Sequence, residues 1–193
     1  MPDAEHPVRR DTIRRTDTSN PHRSRSRALR LLFQADLRGV DARELLEEAA
    51  ADRSVTGLLD EVDGEREDDG ELETARRLRS VGPIDGFTRT LVIGVVNQRS
   101  DLDARITRFS RSWQVARMPV VDRTVLRLAT FELLQQDTPA AVVIDEAVEF
   151  AKDLSTGDSG RFVNGVLEAI RRDLEASDLE ASGMVPDDDT PTL

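Results

Sequence analysis

Asp158-Ser159-Gly160-Arg161-Phe162-Val163-Asn164-Gly165-Val166-Leu167-Glu168 carries two messages at once. Val163, Val166, Leu167, Ile170 and Leu174 recur at helical spacing, which predicts a core-facing helix. Asp158 or Ser159 suits its N-cap. Phe162 and Asn164 fall in the first turn, where backbone N–H groups lack intrahelical partners. An aromatic ring, an arginine and free backbone donors at one helix start form a seat for a nucleotide. Phe162 adjoins Val163, so only one of them points squarely inward. Val163 fits the apolar stripe better, which leaves Phe162 to choose between a core aromatic and a stacking platform.

Outward from this segment, the same period recurs. Ile84, Phe87, Leu91 and Val95 form a stripe behind Pro83, which suits a first helical position. Ser100 and Asp103 have capping-box-like spacing before Leu102, Ile106 and Phe109. Pro119 opens a helix with Val121, Val125 and Leu128, and Asp137-Thr138-Pro139 makes a turn into a stripe of Ile144, Ala147, Val148, Ala151 and Leu154. Ser155-Thr156-Gly157 closes that stripe. Near the start, Leu29, Leu32 and Phe33 mark a helix over roughly 24–38, with Gly39 as its C′ residue. Asp41 caps a second helix carrying Leu45, Leu46 and Ala49. No long period-two alternation and no Asn-Gly hairpin signal occurs, so the fold class is all-α. Short connections among the last helices imply packed or antiparallel neighbours.

Composition bounds the function. The chain has 193 residues and no cysteine, which excludes disulfides and thiolate chemistry and suits a reducing cytoplasm. No apolar run is long enough to span a membrane. The net charge of −11 argues against nucleic acid until its distribution is read. Residues 1–32 hold eight arginines and four acids, whereas 41–79 hold fourteen acids and six arginines. The chain thus reads as a basic, disordered arm (1–22), one helical domain (23–176) interrupted by an acidic insert or loop (52–80), and a disordered acidic tail (177–193). Leu72 and Leu78 allow a short helix late in the insert.

Enzyme signals are sparse. There is no Gly-rich phosphate loop. The histidines, His6 and His22, both fall in the arm, which disfavours a triad or zinc site. Asp145 and Glu149 lie at i, i+4 and read as a solvated helix edge rather than a metal site. Trp113, in a link between helices, reads as a cover over the core. No catalytic residue, metal or cofactor is expected. Binding signals are better. Arg23, Arg25, Arg27 and Arg30 straddle the start of the first helix, and arginine forks grip phosphates and stack on bases. A frayed, charged helix start is the other reading of that cluster.

Together these residues resemble the NusB family of bacterial transcription antitermination factors. The carrying matches are residues 23–34, Val125-Leu126-Arg127-Leu128-Ala129-Thr130-Phe131-Glu132-Leu133, residues 144–152, and 158–168 with its Phe-Val-Asn-Gly-Val-Leu core. The resemblance implies about seven helices in two packed sub-bundles. It implies binding of single-stranded boxA RNA from ribosomal RNA leaders, a heterodimer with the small-subunit ribosomal protein NusE, and indirect contact with other Nus factors and RNA polymerase. By motif position, Arg23, Arg25, Arg27 and Arg30 take the arginine-rich RNA motif. Phe33 takes an aromatic position, and Asp158, Ser159, Arg161, Phe162 and Asn164 take the second RNA-facing element. Arg117, Asp122, Arg123 and Arg127 would lie towards the protein partner. The chain departs from the pattern at Pro21 and His22, where an arginine run is often continuous, at Phe33, which lacks a hydroxyl, and at Gly160. Some relatives self-associate, so a homodimer stays open. The competing functions are a purely protein-binding helical adaptor and a module related to rRNA cytosine methyltransferases, for which the chain leaves no room.

Overall fold

A computed structural model describes residues 20–51, 83–110 and 113–181. Among them the chain forms seven α-helices and one 3-10 turn, Val115–Arg117, and no strand. The helices are α1 (Pro21–Arg38), α2 (Ala42–Ala51), α3 (Gly86–Asn97), α4 (Arg99–Phe109), α5 (Val120–Gln135), α6 (Ala140–Leu154) and α7 (Ser159–Ala181). The expectations for the arm before residue 20, the acidic insert with its short helix, and the tail beyond 181 lie outside the described residues.

Local sequence chemistry sets most helix ends. Asn20 accepts from the His22 N–H at 3.0 Å, and Pro21 pre-sets the first turn of α1. Gly39 ends that helix at φ 67°, a left-handed conformation that costs glycine nothing. Asp41 Oδ1 accepts from the Arg43 N–H and caps α2. Pro119 and Pro139 stand immediately before α5 and α6, as the turn chemistry predicts.

Four boundaries differ from the sequence reading. Pro83 is not the first residue of α3. That helix starts at Gly86 because Asp85 caps it, accepting from the Thr88 N–H at 2.7 Å. Ser100 and Asp103 form no capping box. Gln98 closes α3 and opens α4 with no side-chain cap, and Asp103 is engaged by Arg127 instead. His22 belongs to α1 rather than to the arm. Helix α7 continues through residues 177–181, where a tail was expected.

Helices α1, α2 and α3 pack on one another, and α4, α6 and α7 gather around α5. Helix α5 also packs on α1 and α3, so it is shared by both groups. Its sequence explains this place. Val121, Val125, Leu126, Leu128, Ala129, Phe131 and Leu133 are all buried, so the helix is apolar around most of its circumference. The stripe of α7 holds: Val163, Val166, Leu167 and Ile170 are buried, and Leu174 packs against the core at its edge. Truncating a fully buried leucine such as Leu126 or Leu167 to alanine costs about 2–5 kcal/mol.

Candidate nucleic-acid interface

The arginines of α1 divide between two faces. Arg23, Arg27 and Arg30 lie at i, i+4 and i+7 and share one side of the helix. Arg25 lies on the opposite side, among Leu29, Leu32 and Phe33. The structure accordingly buries Arg25. Its Nε and Nη2 donate to the Glu132 carboxylate of α5 at 2.8–3.0 Å. Its guanidinium also lies 5.5 Å from the centre of the Phe87 ring. Burial pushes the Glu132 carboxyl above its ordinary value against the hydrogen bond and charge of Arg25, and Glu146 adds to the rise. Arg25 is therefore a tie between α1 and α5, not a surface phosphate ligand.

The other arginines differ in availability. Arg23 is exposed and pairs with no group among the described residues. Arg27 donates to Asp85 Oδ2 at 2.7 Å, where Ser24 also donates at 2.8 Å. Burial raises the Asp85 carboxyl, but the Thr88 N–H and the Ser24, Thr88 and Arg27 hydrogen bonds outweigh it and hold the group below its ordinary value. Arg30 is half-buried and engaged within the chain. Phe33 is fully buried, so it builds the core and cannot stack on a base. Its neighbours explain the miss: an aromatic within Leu31-Leu32-Phe33 has no solvent-side position left.

The start of α7 divides in the same way. Asp158, Arg161 and Asn164 are exposed. Phe162 is half-buried, and its ring meets Trp113 edge to face with centroids 5.5 Å apart. Ser159 is buried. Its hydroxyl donates to Asp122 Oδ2 at 3.0 Å and lies among Ser155 and Thr156, so it ties α7 to α5 instead of facing RNA. Gly160 is buried against α6, where a Cβ would meet Lys152 Cγ at 2.7 Å.

The structure does not press the two halves together. Arg25 marks the level of Glu132 on α5, whereas Ser159 marks Asp122. Ten residues of helix separate those levels, about 15 Å. Helix α6 links them. Its Glu146 and Phe150 meet His22 at the start of α1, and its C-terminal end runs into Asp158. Sequence reasoning missed His22, Glu132, Glu146 and Asp85. One signal was available: Glu132 interrupts the apolar run around Phe131 and Leu133, and a charge there needs a buried partner.

The predicted partner-facing residues also separate. Arg117 is exposed and lines a cleft of about 570 Å³ with Trp113, Met118, Arg123, Leu154 and Thr156. Asp122 is buried, and its second carboxylate oxygen has no hydrogen-bond partner. Arg127 is buried between Asp103 and Asp36, and Arg123 donates to Asp36 at 2.5 Å. Asp122 and Arg127 are thus internal ties rather than contact residues. Burial pushes the Asp36 carboxyl up. The Arg123 hydrogen bond and the charges of Arg127, Arg123 and Arg99 outweigh this and hold it below its ordinary value. No group of three or more acidic, histidine or cysteine side chains among the described residues is arranged for a metal. No described helix is long and apolar enough to cross a membrane.

The molecule is therefore an all-helical protein of two packed sub-bundles sharing one central helix, with exposed arginines at two helix starts that pair with nothing among the described residues. It belongs to the NusB family, whose profile matches residues 22–172. The transcription antitermination protein NusB of Saccharopolyspora erythraea is 42% identical over 151 residues, covering 77% of this chain and 84% of that protein. The protein of the same name from Nocardioides sp. is 40% identical over 151 residues, covering 78% and 92%. Among solved structures, T. maritima NusB matches with TM-score 0.58 and 35% identity over 80% of this chain and 92% of that one. The structure of antitermination factors NusB and NusE in complex with dsRNA matches with TM-score 0.56 and 24% identity, over 79% and 96%, which shows a shared fold.

Proposed function

We propose that this protein is a transcription antitermination factor without an enzymatic step. It binds single-stranded boxA-type RNA of ribosomal RNA leaders together with the ribosomal protein NusE, in the cell interior where transcription runs. The observation that carries this reading is the pair of exposed cations, Arg23 and Arg161, at two helix starts joined by α6, neither paired among the described residues. Between them an extended RNA strand meets the Arg23 and Arg161 guanidiniums, with the Phe162 ring at one end. Phosphates bound by arginine supply affinity, and splayed bases supply faces and edges for stacking and hydrogen bonds. Asp158 would accept from a base amino group or a ribose hydroxyl, and Asn164 has donors and an acceptor for a base edge. The protein partner is assigned to the cleft at Trp113 and Arg117, the open cleft beside the predicted partner-facing residues.

The test measures binding of boxA-like RNA, single- and double-stranded, with and without the ribosomal protein. Wild type, Arg23→Ala and Arg161→Ala are compared over a salt series. Each variant is expected to weaken single-strand binding and to flatten the log–log salt slope by about 0.7. Equal affinity and slope in all three proteins, with folding intact, would remove RNA from these residues and leave a protein-binding adaptor.

A further inference from the structure

The start of α1 holds an ionisable group that this RNA reading leaves unused. His22 Nδ1 lies 2.7 Å from Glu146 Oε2. The imidazole stacks on Phe150, with ring centroids 5.2 Å apart and planes inclined by 19°. An ionised carboxylate only accepts hydrogen bonds, so this contact puts a proton on Nδ1. The second ring nitrogen, Nε2, has no partner among the described residues, on a side chain that is 43% exposed. Arg23 follows in the chain and is also exposed.

The charges around His22 are unbalanced. Glu132 of α5 and Glu146 of α6 face a single guanidinium, that of Arg25, which is bidentate to Glu132 and 4.0 Å from Glu146. Asp85, beside α3, is already taken by Ser24, Thr88 and Arg27. Among the described residues the cluster of Arg25, Glu132 and Glu146 therefore carries one more carboxylate than guanidinium, an imbalance that an imidazolium at His22 offsets. Protonation would also turn Nε2 from an acceptor into a donor on a part-exposed side chain.

We propose that His22 is a proton-dependent RNA ligand. Held on Phe150 by Glu146, its imidazolium donates from Nε2 to a backbone phosphate next to the one bound by Arg23. RNA affinity is then greater when both ring nitrogens carry a proton. This inference rests on the RNA-binding reading above and adds a pH-dependent phosphate contact to it.

The experiment uses the full chain carrying His6→Gln, which leaves His22 as the sole histidine. Binding of boxA-like single-stranded RNA is measured at pH 6 and pH 8 over a salt series for this background, for added His22→Gln and for added Glu146→Gln. In parallel, the His22 ring protons are titrated by NMR without RNA. The background protein is expected to bind on the order of threefold tighter at pH 6, the scale of one exposed ion pair. Its salt slope should be steeper there by about 0.7, one more phosphate contact. His22→Gln should show one slope at both pH values. Glu146→Gln should move the NMR midpoint, and with it the pH window of RNA binding, to lower pH. The same pH dependence with and without His22 overturns the ligand role. A midpoint unmoved by Glu146→Gln overturns the clamp. No RNA binding at either pH overturns the RNA reading itself, and the NMR arm then still decides whether Glu146 holds His22.

Discussion

Arg25 and Glu132 meet as a bidentate ion pair whose side chains are only 4% and 5% exposed. The pair joins α1 to the central helix across 107 residues of sequence. Removing one partner leaves a buried charge, whereas removing both leaves only a packing change. Arg25→Met should therefore cost about 3–5 kcal/mol of stability in urea unfolding, and Arg25→Met with Glu132→Leu should recover most of it. A double variant as unstable as the sum of its single variants would show that the two side chains are not coupled.

Asp36 gathers Arg99, Arg123 and Arg127 at the other end of α1. Its carboxyl is held below the ordinary value, so the folded state prefers it ionised. Its stabilising contribution is complete above the unfolded value, about 3.9, and is lost as pH falls through the lower folded value. Asp36→Asn should be less stable than wild type at pH 7, and the gap should close as pH falls below the ordinary carboxylate range. A gap that persists undiminished in strong acid would refute the ionic account.

Phe162 has two roles to separate. Its edge-to-face contact with Trp113 is worth about 0.5–1.5 kcal/mol to the fold. A base stacked on its ring is worth about 1–3 kcal/mol to RNA binding. Phe162→Ala should thus lower thermal stability modestly and RNA affinity by roughly 5- to 150-fold. An affinity loss that vanishes once the folded fraction is accounted for would make the residue a cover for Trp113 alone.

Gly94 of α3 faces the Phe131 ring so closely that a Cβ would lie 2.0 Å from Phe131 Cζ. Its exchange for alanine forces the ring or the helix to move, at a cost of about 1–3 kcal/mol. Gly94→Ala with Phe131→Leu should restore part of that loss in the same thermal melts. Alanine at Gly86, where no neighbour lies within 4 Å, serves as the control.

Much of the helix inventory was legible because burial follows the 3.6-residue period. The stripe of α7 lies where spacing placed it, and Gly39, Asp41, Pro119 and Pro139 mark helix ends by their own backbone chemistry. The site was legible only in part. Arg23, Arg25, Arg27 and Arg30 look equivalent as a cluster, yet the same period puts Arg25 on the buried face. Ser159 reads as a cap or a surface hydroxyl until Asp122, 37 residues earlier, is brought to it. Phe33 reads as a ligand aromatic until α1 is packed on its neighbours.

The sequence by itself determined an all-helical chain, its apolar faces and its membership of the NusB family, because periodicity, caps and motif order are properties of neighbouring residues. Tertiary structure decided which partners meet the charges that turn inward. Arg25, Arg127, Asp122 and Ser159 are engaged by partners on other helices, while Arg23, Arg161 and the second ring nitrogen of His22 meet no partner among the described residues. A buried charge must be matched by whatever side chain the fold brings within a few ångströms, and that partner is not written in local sequence.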